Sequence, residues 1–114
     1  MTVTVEKACF TGRDQALKLI DSLGRVSRDG AMDSGDLENV HWHKTSLKIY
    51  VLSGSFETKD AKSNQLLLAG AGDLITIPSR TLHAARCPDP ATYVVGFESN
   101  EAMSTFRPEE PDDL

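Results

Sequence analysis

Two of the three histidines in this chain lie one residue apart, in the sequence His41-Trp42-His43. On a β-strand, residues i and i+2 project from the same face, so both imidazoles would point to the same side. Such a pair is the simplest way for a strand to offer two metal ligands. The third histidine, His83, follows a turn that contains Pro78. Because an isolated histidine can equally be structural or exposed, the wider spacing has to distinguish these interpretations.

The histidines lie within two spaced blocks of residues. The blocks are Gly35-x5-His41-x-His43-x3-Leu47-x6-Gly54 and Gly72-x5-Pro78-x-Arg80-x2-His83-x3-Cys87. Together they resemble the two motifs of the cupin superfamily, Gly-x5-His-x-His-x3-Glu-x6-Gly and Gly-x5-Pro-x-Gly-x2-His-x3-Asn. The resemblance covers residues 35–97, over half of the chain, and the combined spacing is more specific than either block alone.

The resemblance implies a fold and a metal site. The implied fold is all-β, a small antiparallel jelly-roll β-barrel with one short N-terminal helix, as in the small single-domain RmlC-like cupins. In that family the histidines of both motifs surround one metal inside the barrel, so the ligands here would be His41, His43 and His83. One divalent transition metal (Fe, Ni, Zn, Mn or Cu) is expected, because neutral imidazoles bind such ions. Three protein ligands would leave coordination positions open to water or substrate.

Three residues depart from the family pattern. Leu47 occupies the position of the motif's glutamate and cannot bind a metal, so the ligand set carries no charge. Arg80 occupies the position of the second motif's glycine, and Cys87 that of its asparagine. By strand alternation Cys87 shares a face with His83, so it either lines the pocket or packs as a small buried thiol. Cupins with three histidines and no glutamate resemble thiol dioxygenases and diketone-cleaving oxygenases.

A short helix is predicted near the N-terminus. The segment 2–5 alternates Thr and Val and indicates a strand. Thr11 is a typical helix N-cap, with Asp14 as its capping-box partner. An apolar stripe at helical spacing follows, and Gly24 suits a C-terminal cap, so the helix is predicted over residues 12–23.

Seven short strands are predicted in the rest of the chain, separated by turns rich in Gly, Pro and Asp. They are expected at residues 37–44, 47–52, 55–58, 65–68, 74–77, 81–86 and 91–97. Residues 25–36 are polar and Gly-rich and are interpreted as a loop. Alternation places Leu47, Ile49 and Val51 on one face of their strand, with Tyr50 and Leu52 on the other.

Composition limits the remaining interpretations. The chain has 114 residues and a net charge of −5, which indicates one soluble domain and disfavours a nucleic-acid binder. No apolar run is long enough to span a membrane, and no signal peptide is expected. We therefore predict a single cupin domain over residues 1–106, with a barrel core at about 37–98, and a disordered acidic tail at 107–114. The two cysteines, Cys9 and Cys87, favour reduced thiols in the cytoplasm, although a bridge between them stays open.

Two functions remain in view. The first is metal-dependent, oxygenase-like chemistry on a small organic molecule, in which the metal acts as a Lewis acid or redox centre. The second is a non-catalytic barrel that binds a small ligand. A homodimer is expected, with the first strand, the helix or the outer face around Trp42 at the contact, since small barrels leave sheet edges and apolar outer faces to cover.

Overall fold

The computed structural model describes residues 2–114, which form seven antiparallel strands with few helical residues. In chain order the elements are β1 (Thr4–Glu6), α1 (Gly12–Ser22), β2 (Val26–Met32), β3 (Leu37–His41), β4 (Leu47–Asp60), β5 (Gln65–Gly70), β6 (Leu74–Ile77), β7 (His83–Phe97), α2 (Asn100–Ser104) and a 3-10 turn (Pro111–Asp113). The predicted all-β antiparallel fold with one N-terminal helix is confirmed. None of the helices in the described residues has the length and hydrophobicity that a bilayer crossing requires.

The two longest strands, β4 and β7, form the central ribbon of the barrel. They pair with each other from Leu47 opposite Phe97 to Asp60 opposite His83. Strands β6 and β5 continue the sheet from the two halves of β4, while β2 and β3 continue it from the two halves of β7. Because each long strand serves both halves, the sheet closes around a single interior.

The sequence predicted two short strands in place of each of these long ones. The turn signals at Gly54 and at the prolines 88 and 90 produce irregularities in the pairing, and the strands continue through them. Gly54 has a φ of 77°, and a Cβ atom there would lie 1.9 Å from the carbonyl oxygen of Pro90. The close approach of the two chains at this point therefore requires glycine.

Two further strand predictions were incomplete. Residues 25–36 were interpreted as a loop, but Val26–Met32 forms β2, an edge strand paired with β7. The first strand was expected at a dimer contact, yet Thr4–Glu6 pairs with β6 within the chain. The backbone N–H of Val3 also donates to the Asp60 carboxylate, at 2.9 Å. Both segments gain their order from a distant strand, which local composition does not reveal.

Helix α1 covers one outer face of the barrel. Ala16 and Ile20 pack on the outer face of the sheet, against Tyr50, Leu74 and Val94 and beside the buried Phe10. The neighbours of Tyr50 in sequence, Ile49 and Val51, belong to the interior core instead. The predicted alternation along β4 is thus confirmed. Within α1 the side chain of Gln15, rather than the predicted Asp14, accepts the backbone N–H of Thr11.

The C-terminal segment 107–114 was predicted to be a disordered tail, and the structure instead places it against the barrel. The backbone groups of Trp42 and Glu109 exchange hydrogen bonds of 3.3 and 2.8 Å. The indole N–H of Trp42 donates to the carbonyl of Glu110 at 2.8 Å. As a result Trp42 is only 4% exposed. The tail covers an aromatic side chain that would otherwise face solvent. This contact orders the segment, although its acidic composition predicted disorder.

Candidate metal centre

The three histidines come together at one end of the barrel interior. His41 ends β3, His43 follows two residues later, and His83 begins β7 directly opposite His41. Their ring centroids are 4.4 to 4.9 Å apart, and one ring nitrogen of each lies within 4.8 Å of the others. All three side chains are buried. The spacing in the sequence thus produced the convergence it predicted, since antiparallel pairing of β3 with β7 aligns the two blocks.

Backbone carbonyls fix the orientation of two of the rings. The Nδ1 atom of His41 lies 2.5 Å from the carbonyl oxygen of Asn39, and that of His83 lies 2.8 Å from the carbonyl oxygen of Thr81. A carbonyl only accepts hydrogen bonds, so in both rings Nδ1 carries the proton. The Nε2 atoms therefore keep their lone pairs, which is the tautomer that a metal-binding histidine requires.

His43 is the least satisfied of the three. Its Nδ1 atom is buried and has no hydrogen-bond partner among residues 2–114. Burial, reinforced by the charges that His83 and His41 would carry, lowers the pKa of His43 to about 3. Burial likewise lowers the pKa of His83 to about 4. Both rings are therefore neutral at pH 7, and a buried, unpartnered nitrogen beside two oriented imidazoles fits the donor set of a divalent transition metal.

The departures from the family motifs take clear structural roles. Leu47 is buried and lines the same cavity as His43 and His83. Arg80 adopts a φ of 57°, the left-handed conformation that favours the motif's glycine. Its backbone N–H donates to the carbonyl of His43 at 2.8 Å, and its guanidinium lies 5.7 Å from the ring centroid of Trp42. Arg80 therefore keeps the motif's turn geometry without the glycine.

Cys87 does not join the histidine cluster. Its Sγ atom donates to the carbonyl oxygens of Asp89, at 2.7 Å, and Ser55, at 3.3 Å. Burial raises the pKa of this thiol, which keeps it protonated at neutral pH. Cys9 and Cys87 are both free, so the bridge that the sequence left open does not form. Cys87 is thus a packed core thiol, as one of the two predicted alternatives held.

A small cavity extends from the histidines into the barrel. Its volume is about 120 Å³. Its polar lining comes from His43, His83, Tyr93, Arg28, Asp29 and Glu38, and the rest is mostly apolar, including Leu47, Ile49, Phe56, Ile77, Val95 and Phe97. Four residues, Thr45, Phe56, Thr76 and Tyr93, lie on predicted strands from which they could reach a pocket, and of these Phe56 and Tyr93 line the cavity. The sequence did not predict Arg28, which lies in the segment interpreted as a loop.

Phe106 separates this cavity from a larger cleft outside the barrel. The cleft has a volume of about 560 Å³ and is lined mainly by residues between 98 and 109, together with His43, Lys44 and Thr45. The Phe106 ring lies over His43 and contacts Phe97, with centroids 5.2 Å apart for the two phenylalanines. Phe106 lines both spaces. It was not predicted, since no local pattern connects residue 106 with a histidine far earlier in the chain.

Solved structures share this architecture. The chain is similar to an RmlC-like cupin from Shewanella frigidimarina, with 25% identity, 69% of this chain and 70% of that chain covered, and a TM-score of 0.57. It is similar to the DMSP lyase DddQ from Ruegeria pomeroyi, with 23% identity, coverage of 67% and 39%, and a TM-score of 0.59. It is also similar to a salicylate 1,2-dioxygenase from Pseudoaminobacter salicylatoxidans crystallised with gentisate. The identity is 15%, 73% of this chain and 24% of that chain are covered, and the TM-score is 0.59.

The chain spans about a quarter of that dioxygenase and two fifths of that lyase. No protein-family model matches the chain, and no curated protein matches it. The barrel and its structural neighbours nevertheless define the class of the protein. The chain has the cupin fold, as the spacing of its two motifs predicted, and carries a three-histidine cluster inside it.

Proposed function

We propose that His41, His43 and His83 hold one divalent transition metal, Fe, Ni, Zn, Mn or Cu, which supports chemistry on a small organic molecule. The observation that carries this proposal is the buried cluster of three imidazoles, one of which has an unpartnered Nδ1 atom beside a cavity. A purely structural cluster would satisfy that nitrogen with a protein hydrogen bond. The presence of a dioxygenase and a lyase among the structural neighbours is consistent with an enzyme, and the activity proposed here is oxygenase-like.

The bound metal would supply Lewis-acid or redox chemistry. The chain's own residues set the conditions for it. The carbonyls of Asn39 and Thr81 hold the rings of His41 and His83 in the metal-binding tautomer. Leu47, at the position of the motif's glutamate, leaves the ligand set uncharged, so a dication would keep its full positive charge toward a substrate. Phe106 packs on the ring of His43, which lines both the outer cleft and the cavity, and so covers part of the approach to the histidines.

The experiment is elemental analysis of the purified protein before and after incubation with each metal and gel filtration. We expect close to one metal per chain in the wild type and little in a His41→Ala, His83→Ala double variant. Cys87→Ser is a matched control. It removes a buried thiol of β7, a group that is able to bind metals, and keeps a hydrogen-bond donor of similar size. It should retain the wild-type metal content. Wild-type protein that holds no metal after these incubations would contradict the proposal.

A non-catalytic, small-ligand-binding barrel is the second candidate. It is favoured by Leu47, which removes the family's charged ligand, and by the largely apolar lining of the cavity. The two candidates differ in what removal of the metal does. Under the first, a metal-free protein loses turnover of its substrate, whereas under the second, ligand binding persists without metal.

We also propose a homodimer in the cytoplasm, which accords with two free thiols. The elements first expected at the contact are occupied within the chain, because β1 pairs with β6, α1 packs on the barrel and Trp42 is covered. Leu37, Leu66 and Leu68 instead remain 53% to 67% exposed on one outer face formed by β3, β4, β5 and β7. Light scattering should give twice the chain mass, and Leu66→Glu should give a monomer.

A further inference from the structure

Arg28 is an arginine on the interior side of a strand. In β2, Met32 belongs to the interior core, and Gly30 lies directly beneath the ring of Tyr93. Strand alternation puts Arg28 on the same side as these two residues. Asp29, on the opposite side, forms a 2.9 Å salt bridge with Arg13 of the outer helix. Asp29 is thus paired with the outer helix, whereas the Arg28 side chain stays unpaired beside the cavity that both residues line.

The guanidinium of Arg28 rests on aromatic rings. Its central carbon lies 4.8 Å from the ring centroid of Phe97 and 5.6 Å from that of Phe106. Both distances lie within the range of a cation–π interaction. Arg28 is an exposed residue, and among residues 2–114 its side chain forms no hydrogen bond and no salt bridge. The stacking therefore holds a set of unused donors at the rim of the cavity.

A second polar group faces the same space. Tyr93 pairs with Gly30 and is a diagonal neighbour of Arg28 across the β2–β7 pair. A Cβ atom at residue 30 would lie 2.4 Å from the Tyr93 ring, so the ring occupies the room that glycine provides. Among the described residues, the Tyr93 hydroxyl also lacks a hydrogen-bond partner. Arg28 and Tyr93 together offer donors on a wall that is otherwise largely apolar.

We infer that the cavity binds a small organic monocarboxylate whose carboxylate is held by Arg28 and whose apolar part lies toward the histidines. This inference names the substrate class of the proposed function and depends on that function for its catalytic meaning. The planar fork of a guanidinium matches a carboxylate in a bidentate pair. The lining also carries Glu38 and Asp29, the latter paired with Arg13, so a single arginine there favours a ligand with one negative charge over a phosphate dianion. The outer cleft suits an anion less well, because its lining has more acidic residues (Glu98, Glu101 and Glu109) than basic ones (Lys44 and Arg107).

The test uses metal-free, ¹⁵N-labelled protein at neutral pH, titrated with butyrate, butyramide and methylphosphonate and followed by NMR. We expect butyrate to shift cavity amide resonances and to bind more tightly than the other two compounds. Arg28→Met should weaken butyrate binding about tenfold or more, and Arg28→Lys should restore part of it, since loss of a charge-assisted pair costs that order of affinity. Arg86→Met is the matched control, because Arg86 and its partner Glu57 do not line the cavity, and it should bind butyrate as the wild type does.

Four results would overturn the inference. They are butyramide binding as tightly as butyrate, methylphosphonate binding more tightly, Arg28→Met binding butyrate like the wild type, and no saturable shift with butyrate. The metal content of Arg28→Met is measured in parallel and should equal that of the wild type. Because the titration is made without metal, failure of the metal proposal would appear only in the elemental analysis, and failure of the carboxylate inference only in the titration.

Discussion

The ring of Phe106 lies against the ring of His43, with centroids 4.7 Å apart. Through this contact the part of the chain that follows β7 reaches the candidate metal centre. It also places an apolar side chain between the interior cavity and the outer cleft. The route by which a metal or a small molecule reaches the histidines therefore passes Phe106.

Phe106→Ala should accelerate the exchange of bound metal. Removing the ring joins the cavity to the cleft but leaves all three histidines in place, so we expect a several-fold faster loss of zinc to an excess of chelator with a smaller change in affinity. Stopped-flow absorbance with a chromophoric chelator measures the rate. Met103→Ala is the control, because Met103 packs against the core without lining either space. An unchanged rate in Phe106→Ala, or an equal rise in Met103→Ala, would contradict a gating role.

Leu47→Glu should tighten metal binding and weaken the metal-free fold. Leu47 lines the cavity beside His43, so a carboxylate there would add a charged oxygen ligand to three neutral nitrogens. Without metal the same carboxylate would be buried among apolar groups at a cost of several kcal/mol. Urea unfolding with and without zinc should therefore show a larger zinc-induced shift than in the wild type.

Leu47→Gln separates charge from burial. It places a polar group of similar size at the same position, so it should weaken the metal-free fold without the larger zinc effect. A zinc-induced shift in Leu47→Glu no greater than in Leu47→Gln would mean that position 47 does not face the metal.

The free energy of unfolding of the metal-free protein should decrease as the pH is lowered from neutrality, at pH values above those at which carboxylates are normally protonated. Burial keeps the pKa values of His43 and His83 near 3 and 4, below the value of about 6.5 in the unfolded chain. Between about pH 6.5 and pH 4.5 the unfolded state therefore binds more protons, and each histidine removes about 1.4 kcal/mol of stability per pH unit as the pH falls. Asp60 and Asp73, whose pKa values are lowered by hydrogen bonds, remain ionised in this window.

Urea unfolding across this window measures the effect. In His43→Leu one of the two titrating rings is absent, so the slope of stability against pH should be about half that of the wild type. Equal slopes in the two proteins would show that His43 is not buried in a neutral form.

Arg80→Gly should be more stable than Arg80→Ala by about 1 kcal/mol, because glycine adopts a positive φ without steric cost whereas alanine does not. Both variants lose the contact of the guanidinium with Trp42, so their difference isolates the backbone. Thermal or urea unfolding of the pair gives the comparison. Equal stabilities would imply that the turn at residue 80 relaxes to another conformation.

The histidine cluster could be predicted because its information is local. The spacing within each block fixes which side chains share a face, and the alternation along residues 47–51 separates the interior from the face under α1. These relations depend only on the period of a strand. They held even where the predicted strand ends were wrong, since Gly54 and Pro90 interrupt the pairing without ending the strands.

The rest of the cavity depends on pairing between distant segments. In β2 the interior side carries Val26, Arg28, Gly30 and Met32, which show no apolar alternation. The strand forms because β7 supplies its partner, and only that pairing reveals Arg28 as a cavity residue. Likewise, nothing in the acidic segment 107–114 indicates that Trp42 lacks cover.

The ribbon of β4 and β7 bends at the irregular pairing around Gly54 and Pro90, and the bend divides it into two arms. Both arms of the ribbon reach the cavity, one with Leu47 and Phe97 and the other with Phe56 and His83, although neither bulge residue lines it. Seven positions separate Pro90 from His83, an arm of about 23 Å at the usual rise of a strand. A change of about 5° in the bend would move its end by about 2 Å, enough to pull a metal ligand set apart. The conformation of the residues at the bulge therefore influences the distances between the three histidine side chains.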